Sequence, residues 1–269
     1  MDLQNTKIAI IGGGNIGTAI ARGLLRSGNI PAKNITLTRR NVSKISEFAE
    51  MGIQITDDNS KAVISSEIII LAVLPSQLLG LIDSLKSILK KEQHILISVV
   101  SAFNIEEMKQ RTGPEIVFVR AMPNIAAAVC ESMTCLCSNP DEEASLEKVK
   151  QVFDEVGSTL IIQENLMSSA TILGACGIAF FMRYIRAASQ GGIQVGFHAA
   201  DAQFIAAQTA RGATSLLLES GNHPEREIDK VTTPMGCTIA GLNEMEHNGL
   251  SSALIKGIVL SYNEIKKLK

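Results

Sequence analysis

Ile8-Ala-Ile-Ile-Gly-Gly-Gly-Asn-Ile-Gly17 is the stretch that decides the fold of this chain. It begins with a short β-branched run, and Gly12, Gly14 and Gly17 then match the pattern G-x-G-x-x-G. In that pattern the first glycine permits a tight turn, the second lets a pyrophosphate approach the backbone, and the third lets the next helix pack closely on the strand. The stretch therefore predicts a strand, a turn and a helix whose free N–H groups face the phosphates of a dinucleotide.

Short apolar runs alternate with helical segments over the first half of the chain. Strands that are apolar on both faces are typical of parallel sheets with helices on each side. The predicted strands are residues 8–11, 35–37, 68–73, 95–97, 116–119, 133–137 and 158–162, and the predicted helices are 16–27, 42–51, 76–90, 105–111 and 141–156. A complete strand-helix-strand unit around the glycines favours dinucleotide binding over a purely structural glycine turn. We expect a Rossmann-like, doubly wound α/β domain over residues 1–164.

The second half carries no strand pattern, and helices are expected at 167–190, 199–220, 238–247 and 250–268. We therefore expect an all-helical domain over residues 165–269. Residues 165–182 contain no charged side chain. This stretch is close to the length of a membrane-spanning helix. Because the same stretch holds asparagine, serine, threonine and glycine, burial in protein is favoured over a membrane.

Composition excludes several classes of protein. The 269 residues are 46% hydrophobic and 19% charged with a formal net charge of −2, so neither general disorder nor a nucleic-acid partner is expected. The five cysteines form no Cys-x-x-Cys pair and the four histidines are scattered, so neither a metal site nor a disulfide framework is expected. A polar amino terminus argues against a signal peptide, and a cytoplasmic location is expected.

The second strand ends in Thr38-Arg39-Arg40. A site that prefers NADH would place an acidic residue there for the ribose hydroxyls. Two guanidinium groups and a hydroxyl suit a 2′-phosphate instead, since each charge-assisted hydrogen bond contributes about 1.5–3 kcal/mol. The sequence therefore predicts NADPH as the preferred cofactor with NADH possible, against the alternative of a solvated arginine pair.

Four motifs together resemble the Δ1-pyrroline-5-carboxylate reductase family. They are the Ile-Gly-Gly-Gly-Asn opening, Leu71-Ala-Val-Leu-Pro75, Arg120-Ala-Met-Pro-Asn124 and Thr233-Pro-Met-Gly-Cys-Thr-Ile-Ala-Gly-Leu242. Length and domain order also match. The resemblance implies reduction of a cyclic imine, Δ1-pyrroline-5-carboxylate, to L-proline, and dimers built from interlocked C-terminal helices that sometimes assemble further.

The same resemblance implies a set of site residues. Residues 72–75 and 100–101 would line the nicotinamide, Asn59 would reach the adenosine ribose, and the loop before Thr238 would hold the substrate. The candidate cofactor-binding residues are Gly12, Gly14, Asn15, Ile16, Gly17, Thr38, Arg39, Arg40, Asn59, Ala72, Val73, Leu74, Pro75, Val100 and Ser101. The candidate substrate-binding residues are Met122, Pro123, Asn124, Met235, Gly236, Cys237 and Thr238, and Thr238 is also the candidate catalytic residue.

The chain departs from the family pattern mainly in its second half. Gly174-Ala-Cys-Gly-Ile-Ala179 stands where the family commonly has Ser-Gly-Ser-Gly-Pro-Ala, and Met235 stands where it has glycine. Two alternatives therefore stay open: reduction of another imine, or an NADP-binding regulatory module. A hydride exchanger with a deazaflavin is a third, although no second dinucleotide motif is visible. Hydroxyacid oxidation is disfavoured because no lysine, the acid/base of that related class, occurs between Lys150 and Lys230.

Overall fold

The computed structural model describes residues 3–101 and 103–266. The described residues form eight strands: β1 Ile8–Ile11, β2 Ile35–Thr38, β3 Gln54–Thr56, β4 Ile68–Leu71, β5 Ile95–Ser98, β6 Val117–Met122, β7 Ser132–Cys137 and β8 Gly157–Ile161. They also form twelve α-helices: α1 Asn15–Ser27, α2 Ser46–Glu50, α3 Asn59–Ile64, α4 Pro75–Leu85, α5 Ile105–Thr112, α6 Glu143–Asp154, α7 Met167–Ala170, α8 Gly177–Gln194, α9 Ala199–Ser220, α10 Pro224–Lys230, α11 Cys237–His247 and α12 Leu250–Lys266.

All eight strands belong to one sheet, in the order β3-β2-β1-β4-β5-β6-β7-β8. Every neighbouring pair is parallel except β6 and β7, which are antiparallel. The strand order reverses at β1, because β2 and β3 lie on one side of it and the later strands on the other. In open α/β sheets ligands bind at the carboxyl ends of the strands at such a reversal. The predicted doubly wound sheet is confirmed, and its switch point lies directly below the glycine motif.

The core lies on both faces of this sheet. Side chains of β1 alternate between two apolar clusters: Ile8 and Ile10 pack on one face, and Ala9 and Ile11 on the other. All four are at most 1% exposed, which is the reason the run is apolar without alternation.

Several elements were missed or assigned differently from sequence. Helix α3 was not predicted, and the single helix predicted at 167–190 is divided into α7, a π-helical segment Thr171–Cys176 and α8. Strand β3 is an edge strand of three partly exposed residues, so it has no apolar run to mark it. The helix predicted at 42–51 is a short 3-10 turn, Val42–Ile45, followed by α2. Helix α10, which lies between two predicted helices, follows His223 and has proline at its first turn, a position that proline tolerates. The predicted helix end at residue 268 lies outside the described residues.

The chain divides into two compact units. One comprises residues up to Ala175 together with those from Tyr262 onward, and the other comprises Cys176–Ser261. Within the second unit α8 and α9 pack against each other, and Gly192 lies against Ala202. The division falls in a π-helical segment, Thr171–Cys176, later than the predicted boundary at 164/165, which stays a prediction.

Among the described residues, one helical stretch, Glu164–Gln194, is long and apolar enough to cross a membrane by length and composition, and its most apolar 18-residue window has a mean hydropathy of 1.5. Only 22% of its most apolar window is buried within the chain. One such helix is weak evidence for a membrane, because helices that pack in soluble assemblies have the same composition. The stretch therefore identifies apolar surface that something else must cover.

A buried histidine makes the stability of the fold depend on pH. It lies at the amino-terminal ends of the strands, opposite the glycine turn. His94 precedes β5 and is 2% exposed; its Nδ1 accepts a hydrogen bond from the Lys90 amide at 3.1 Å, and its Nε2 has no partner among the described residues. Burial, followed by the positive charge of Lys90, lowers the pKa of His94 below its usual 6.5. As the pH falls below about 6.5, the His94 imidazole therefore takes up a proton in the unfolded chain before it does so in the folded chain. The free energy of unfolding falls as a result.

We expect the melting temperature to fall from pH 7.5 to pH 5.5, and this fall to be smaller in His94→Asn, which can still accept from the Lys90 amide but has no imidazole to titrate. Differential scanning calorimetry of both proteins across that pH range measures the difference. An identical pH slope in the variant would show that other groups cause the loss.

Candidate active site

The turn after β1 has the geometry that the glycine motif predicts. Gly12 has φ 116°, and its amide donates to the Thr38 carbonyl at 3.2 Å. A Cβ at Gly12 would overlap the Ala72 carbonyl, and one at Gly17 would overlap the Gly12 carbonyl. These two glycines are therefore required by the packing of the protein itself.

Gly14 differs from them because no packing requires it. It is the N-cap of α1 with φ −85° and ψ −168°, a conformation that any residue adopts, and a Cβ there would meet nothing within 4 Å. No side chain caps α1, and its first turn holds no acidic residue. The helix therefore presents free amides and its positive end to open space, an arrangement that fits a pyrophosphate.

An open cleft of about 1090 Å³ lies over this turn. Predicted residues that line it are Gly12, Gly14, Asn15, Ile16, Thr38, Arg39, Arg40, Asn59, Ala72, Val73 and Leu74. The further lining residues, which were not candidates from the sequence, are Ile11, Gly13, Asn41, Lys44, Asp57, Gln77, Leu81, Ser84 and Ile125. The carboxyl ends of β1, β2 and β4 thus bring most of the candidate cofactor residues to one place, with a volume suited to a nucleotide.

The end of the cleft beside β2 is polar and basic. The Thr38 hydroxyl donates to Asn59 Oδ1 at 2.7 Å, which fixes the Asn59 amide beside the strand. Arg39 Nη1 donates to the Gly13 carbonyl at 2.5 Å, so this arginine supports the glycine turn. Arg40 and Lys44 are exposed and, among the described residues, make no ion pair. They are the free cations of the cleft and suit a phosphate.

Four candidate cofactor residues do not line the cleft. Gly17 is buried in the packing of α1 on the sheet, and Pro75 is the first residue of α4, where its missing N–H costs nothing. Val100 is 4% exposed, and its amide donates to Ser98 Oγ at 3.3 Å. The Ser101 carbonyl accepts from Arg120 Nη2 at 3.2 Å. Their assignment to the nicotinamide end stays a prediction.

The Arg120-Ala-Met-Pro-Asn124 segment is buried at the end of β6. Asn124 is 6% exposed, its Oδ1 accepts from the Ala126 amide at 2.9 Å, and its Nδ2 donates to the Gly174 carbonyl in the π-helical segment at 3.1 Å. Met122 is 5% exposed. The Asn124 side chain therefore holds two backbone segments in place, and contact of Met122, Pro123 and Asn124 with a substrate stays a prediction.

The second unit carries the other candidate residues on one loop. Met235 has φ 62° and its side chain is fully exposed, so a residue that favours negative φ occupies a left-handed position. The positive φ at position 235 explains why the family has glycine there, because glycine adopts the left-handed conformation without strain. Gly236 is the N-cap of α11, Cys237 its first residue and Thr238 its second, and Thr238 is exposed. The loop thus presents a free helix N-terminus beside a threonine hydroxyl.

All five cysteines carry free thiols, and among the described residues no group of three or more metal-ligating side chains is close enough to hold an ion. Burial, reinforced by the negative charge of Glu164, raises the pKa of the Cys137 thiol to about 12. Cys137 is therefore protonated and unreactive at neutral pH, whereas Cys237 is exposed.

Comparisons with known families agree with this organisation. Residues 164–268 match the family described as pyrroline-5-carboxylate reductase dimerisation, and residues 7–102 match the family described as NADP oxidoreductase, coenzyme F420-dependent. The first match covers the helical half of the chain, and the second covers the part of the sheet domain that holds the glycine turn.

Whole-chain relatives give the same result. Pyrroline-5-carboxylate reductase 2 of Dictyostelium discoideum is 47% identical over 99% of this chain and 94% of its own length. Pyrroline-5-carboxylate reductase 1 of the same organism is 48% identical over all of this chain, which spans about half (51%) of that longer relative. A solved pyrroline-5-carboxylate reductase from Coxiella burnetii has a TM-score of 0.89 at 26% identity, with 98% of both chains covered. The resemblance inferred from sequence is confirmed, and the chain belongs to the pyrroline-5-carboxylate reductase family.

Proposed function

We propose that this chain reduces Δ1-pyrroline-5-carboxylate to L-proline with NADPH, in proline biosynthesis in the cytoplasm. The observation that carries the proposal is the open space at Gly14, above an uncapped helix N-terminus and beside Arg40 and Lys44, in a chain of this family. A dinucleotide with a 2′-phosphate matches each of these features. A solved relative from Plasmodium falciparum carries NADP, at 23% identity and a TM-score of 0.86.

The chemistry requires little of the protein beyond position. Bound NADPH supplies the hydride, and the imine nitrogen already carries the proton as an iminium, so no strong general base is needed. The glycine turn holds the pyrophosphate, and the residues after β4 and β5 line the nicotinamide end. The backbone amides at the start of α11 bind the substrate carboxylate, and the Thr238 hydroxyl forms a hydrogen bond with the ring nitrogen. These roles assign the glycine-turn domain, residues 1–164, to the cofactor and residues 165–269 to substrate and assembly.

The test is the steady-state oxidation of NADPH by the purified chain with pyrroline-5-carboxylate, followed at 340 nm with proline quantified as product. Stoichiometric proline formation supports the proposal. Tight NADPH binding without turnover on this imine, or turnover only on a larger cyclic imine, would instead favour the regulatory module or the altered-substrate enzyme. The features that support those two alternatives are the altered segment Gly174-Ala-Cys-Gly-Ile-Ala179 and Met235.

Thr238→Val is expected to lower kcat by about 10- to 100-fold, because it removes a single hydrogen bond formed to the reacting ring. The KM for NADPH should change less than about twofold, since the cofactor cleft belongs to the first unit. Thr238→Ser, which keeps the hydroxyl, is the matched control and should retain most of the activity. Equal activity in the valine and serine variants would remove Thr238 from the mechanism.

The family match supports self-association of this chain, and we propose that the contact is made by the helices of the second half, as a dimer or a further assembly of dimers. Apolar side chains there are widely exposed, including Phe204 at 72%, Leu218 at 85% and Ile255 at 61%. Exposed apolar surface of this extent is typical of an interface. A second copy would also cover the apolar stretch Glu164–Gln194, without any membrane.

We expect sedimentation equilibrium at micromolar concentration to find a dimer or larger assembly. The double variant Ile255→Glu with Val259→Glu places two charges on one face of α12 and should shift the chain toward monomer. Ser60→Glu, which adds a charge at an exposed site in the first unit, should leave the assembly unchanged. A wild-type chain that sediments as a monomer would contradict the proposed assembly.

A further inference from the structure

Arg120 is a buried arginine beside the loop that follows β5. It is 4% exposed and sits in β6, in register with Ser98 of β5 and Cys137 of β7. Two of its guanidinium nitrogens are used: Nη2 donates to the Ser101 carbonyl at 3.2 Å, and Nη1 lies 3.2 Å from Glu164 Oε1. The third, Nε, is buried without a partner among the described residues. An unpaired buried donor is costly.

Glu164 contacts the other end of the loop between β5 and α5. Its Oε1 accepts the Ile105 amide at 2.8 Å, at the start of α5, while it also pairs with Arg120. A carboxylate is favoured there because the first amides of α5 carry the positive end of the helix. The loop between β5 and α5 is therefore held at Ser101 by the arginine and at Ile105 by the glutamate, and the ion pair joins the two anchors. Ala102, between them, lies outside the described residues.

We propose that Arg120 and Glu164 are positioning residues for hydride transfer: their ion pair fixes the loop after β5, whose Val100 and Ser101 border the nicotinamide. The inference rests on the proposed function, because that function places the nicotinamide against this loop. The pair touches neither the pyrophosphate end nor the basic end of the cleft. Loss of the pair should therefore change the alignment of the reacting ring and leave the strength of cofactor binding intact. A misplacement of this kind costs up to about 100-fold in rate.

Another ion pair, between α5 and the turn before α6, offers a control that does not contact the loop. Lys109 Nζ of α5 lies 2.6 Å from Glu142 Oε1, and the two side chains are 10% and 6% exposed. Neither residue bonds the loop after β5 among the described contacts. Lys109–Glu142 is thus another cation–glutamate pair that contacts α5, and it is more buried than Arg120–Glu164, in which the Glu164 side chain is 34% exposed, but it does not hold the loop.

The experiment compares Glu164→Gln, Glu164→Ala and Arg120→Lys with Glu142→Gln. Each protein is assayed for kcat and KM with pyrroline-5-carboxylate, for NADPH dissociation constant by fluorescence, and for melting temperature. Glu164→Ala and Arg120→Lys should lower kcat about tenfold or more, with the NADPH dissociation constant within about twofold of wild type. Glu164→Gln keeps an oxygen for the Ile105 amide, so its loss should be smaller. Glu142→Gln should lower the melting temperature and leave kcat within about twofold.

A double variant separates positioning from general loosening. If both residues act through one loop, Arg120→Lys with Glu164→Ala should lose no more kcat than the worse single variant. Folded Glu164 and Arg120 variants with wild-type kcat, or with losses that match Glu142→Gln, would overturn the positioning role and leave the proposed function standing. A wild-type chain with no turnover on the imine would overturn both.

Discussion

Gly14→Ala is expected to weaken NADPH binding by about 10- to 100-fold while the protein remains folded. A Cβ at this position meets nothing in the chain, and its backbone conformation suits alanine, so the fold has no need of glycine there. The space that the methyl group would fill is the space through which a pyrophosphate reaches the amides of α1. Loss of close charge-assisted hydrogen bonds costs about 1.5–3 kcal/mol, which corresponds to the expected loss of affinity. Titration of NADPH by fluorescence, with a melting curve for each protein, measures both quantities.

Three other glycines serve as controls for this prediction. Gly12→Ala and Gly17→Ala should unfold or strongly destabilise the protein, because each Cβ would overlap a carbonyl of the chain. Gly80 is an exposed position of α4 with open space around it, and Gly80→Ala should raise stability by about 0.5–1 kcal/mol with unchanged NADPH binding. If Gly14→Ala bound NADPH as wild type does, the phosphates would not lie on this turn.

Elements that are buried on both faces could be predicted from the sequence, whereas partly exposed elements could not. Strand β1 could be predicted from sequence because both its faces are covered, which leaves a continuous apolar run in front of the glycines. Strand β3 could not, because an edge strand of three partly exposed residues has no such pattern. The capping box of α5 is also local: Asn104 and Glu107, three residues apart, form it with hydrogen bonds of 2.7 and 2.8 Å. Local patterns thus identify elements whose interactions are local.

Site residues follow the same division. The glycine turn is contiguous in sequence, so its geometry could be predicted, whereas Lys44 and Asp57 reach the cleft only through the pairing of β2 with β1 and β3. Arg39 and Arg40 are neighbours with the same chemistry, so the sequence predicts the same role for both, contact with a 2′-phosphate. The structure separates them: Arg39 holds the Gly13 carbonyl, and Arg40 faces the cleft without an ion-pair partner among the described residues. Arg120 and Glu164 are far apart in sequence, so no local pattern joins them.

The separation of the two arginines leads to the second large effect, on cofactor choice. Arg40→Asp should raise the KM for NADPH by about 100-fold and change the KM for NADH by less than about threefold. The substitution removes a cation that can bond the 2′-phosphate and places a carboxylate there, which repels the phosphate and can accept from a ribose hydroxyl. Lys44→Ala should have the same selectivity with a smaller effect, about tenfold, since it removes a charge without reversing it. Steady-state kinetics with each cofactor at saturating imine measures both ratios.

Arg39→Ala provides the contrasting control, because the two arginines differ in what they hold. Its guanidinium bonds the Gly13 carbonyl, so its loss should loosen the turn that both cofactors share and raise both KM values by a similar factor. Asp57, which also lines the cleft, is a carboxylate near the same end and opposes a phosphate there, so Asp57→Asn should lower the KM for NADPH relative to NADH. Equal changes for the two cofactors in Arg40→Asp would show that this arginine is a solvated surface residue and that the 2′-phosphate is recognised elsewhere.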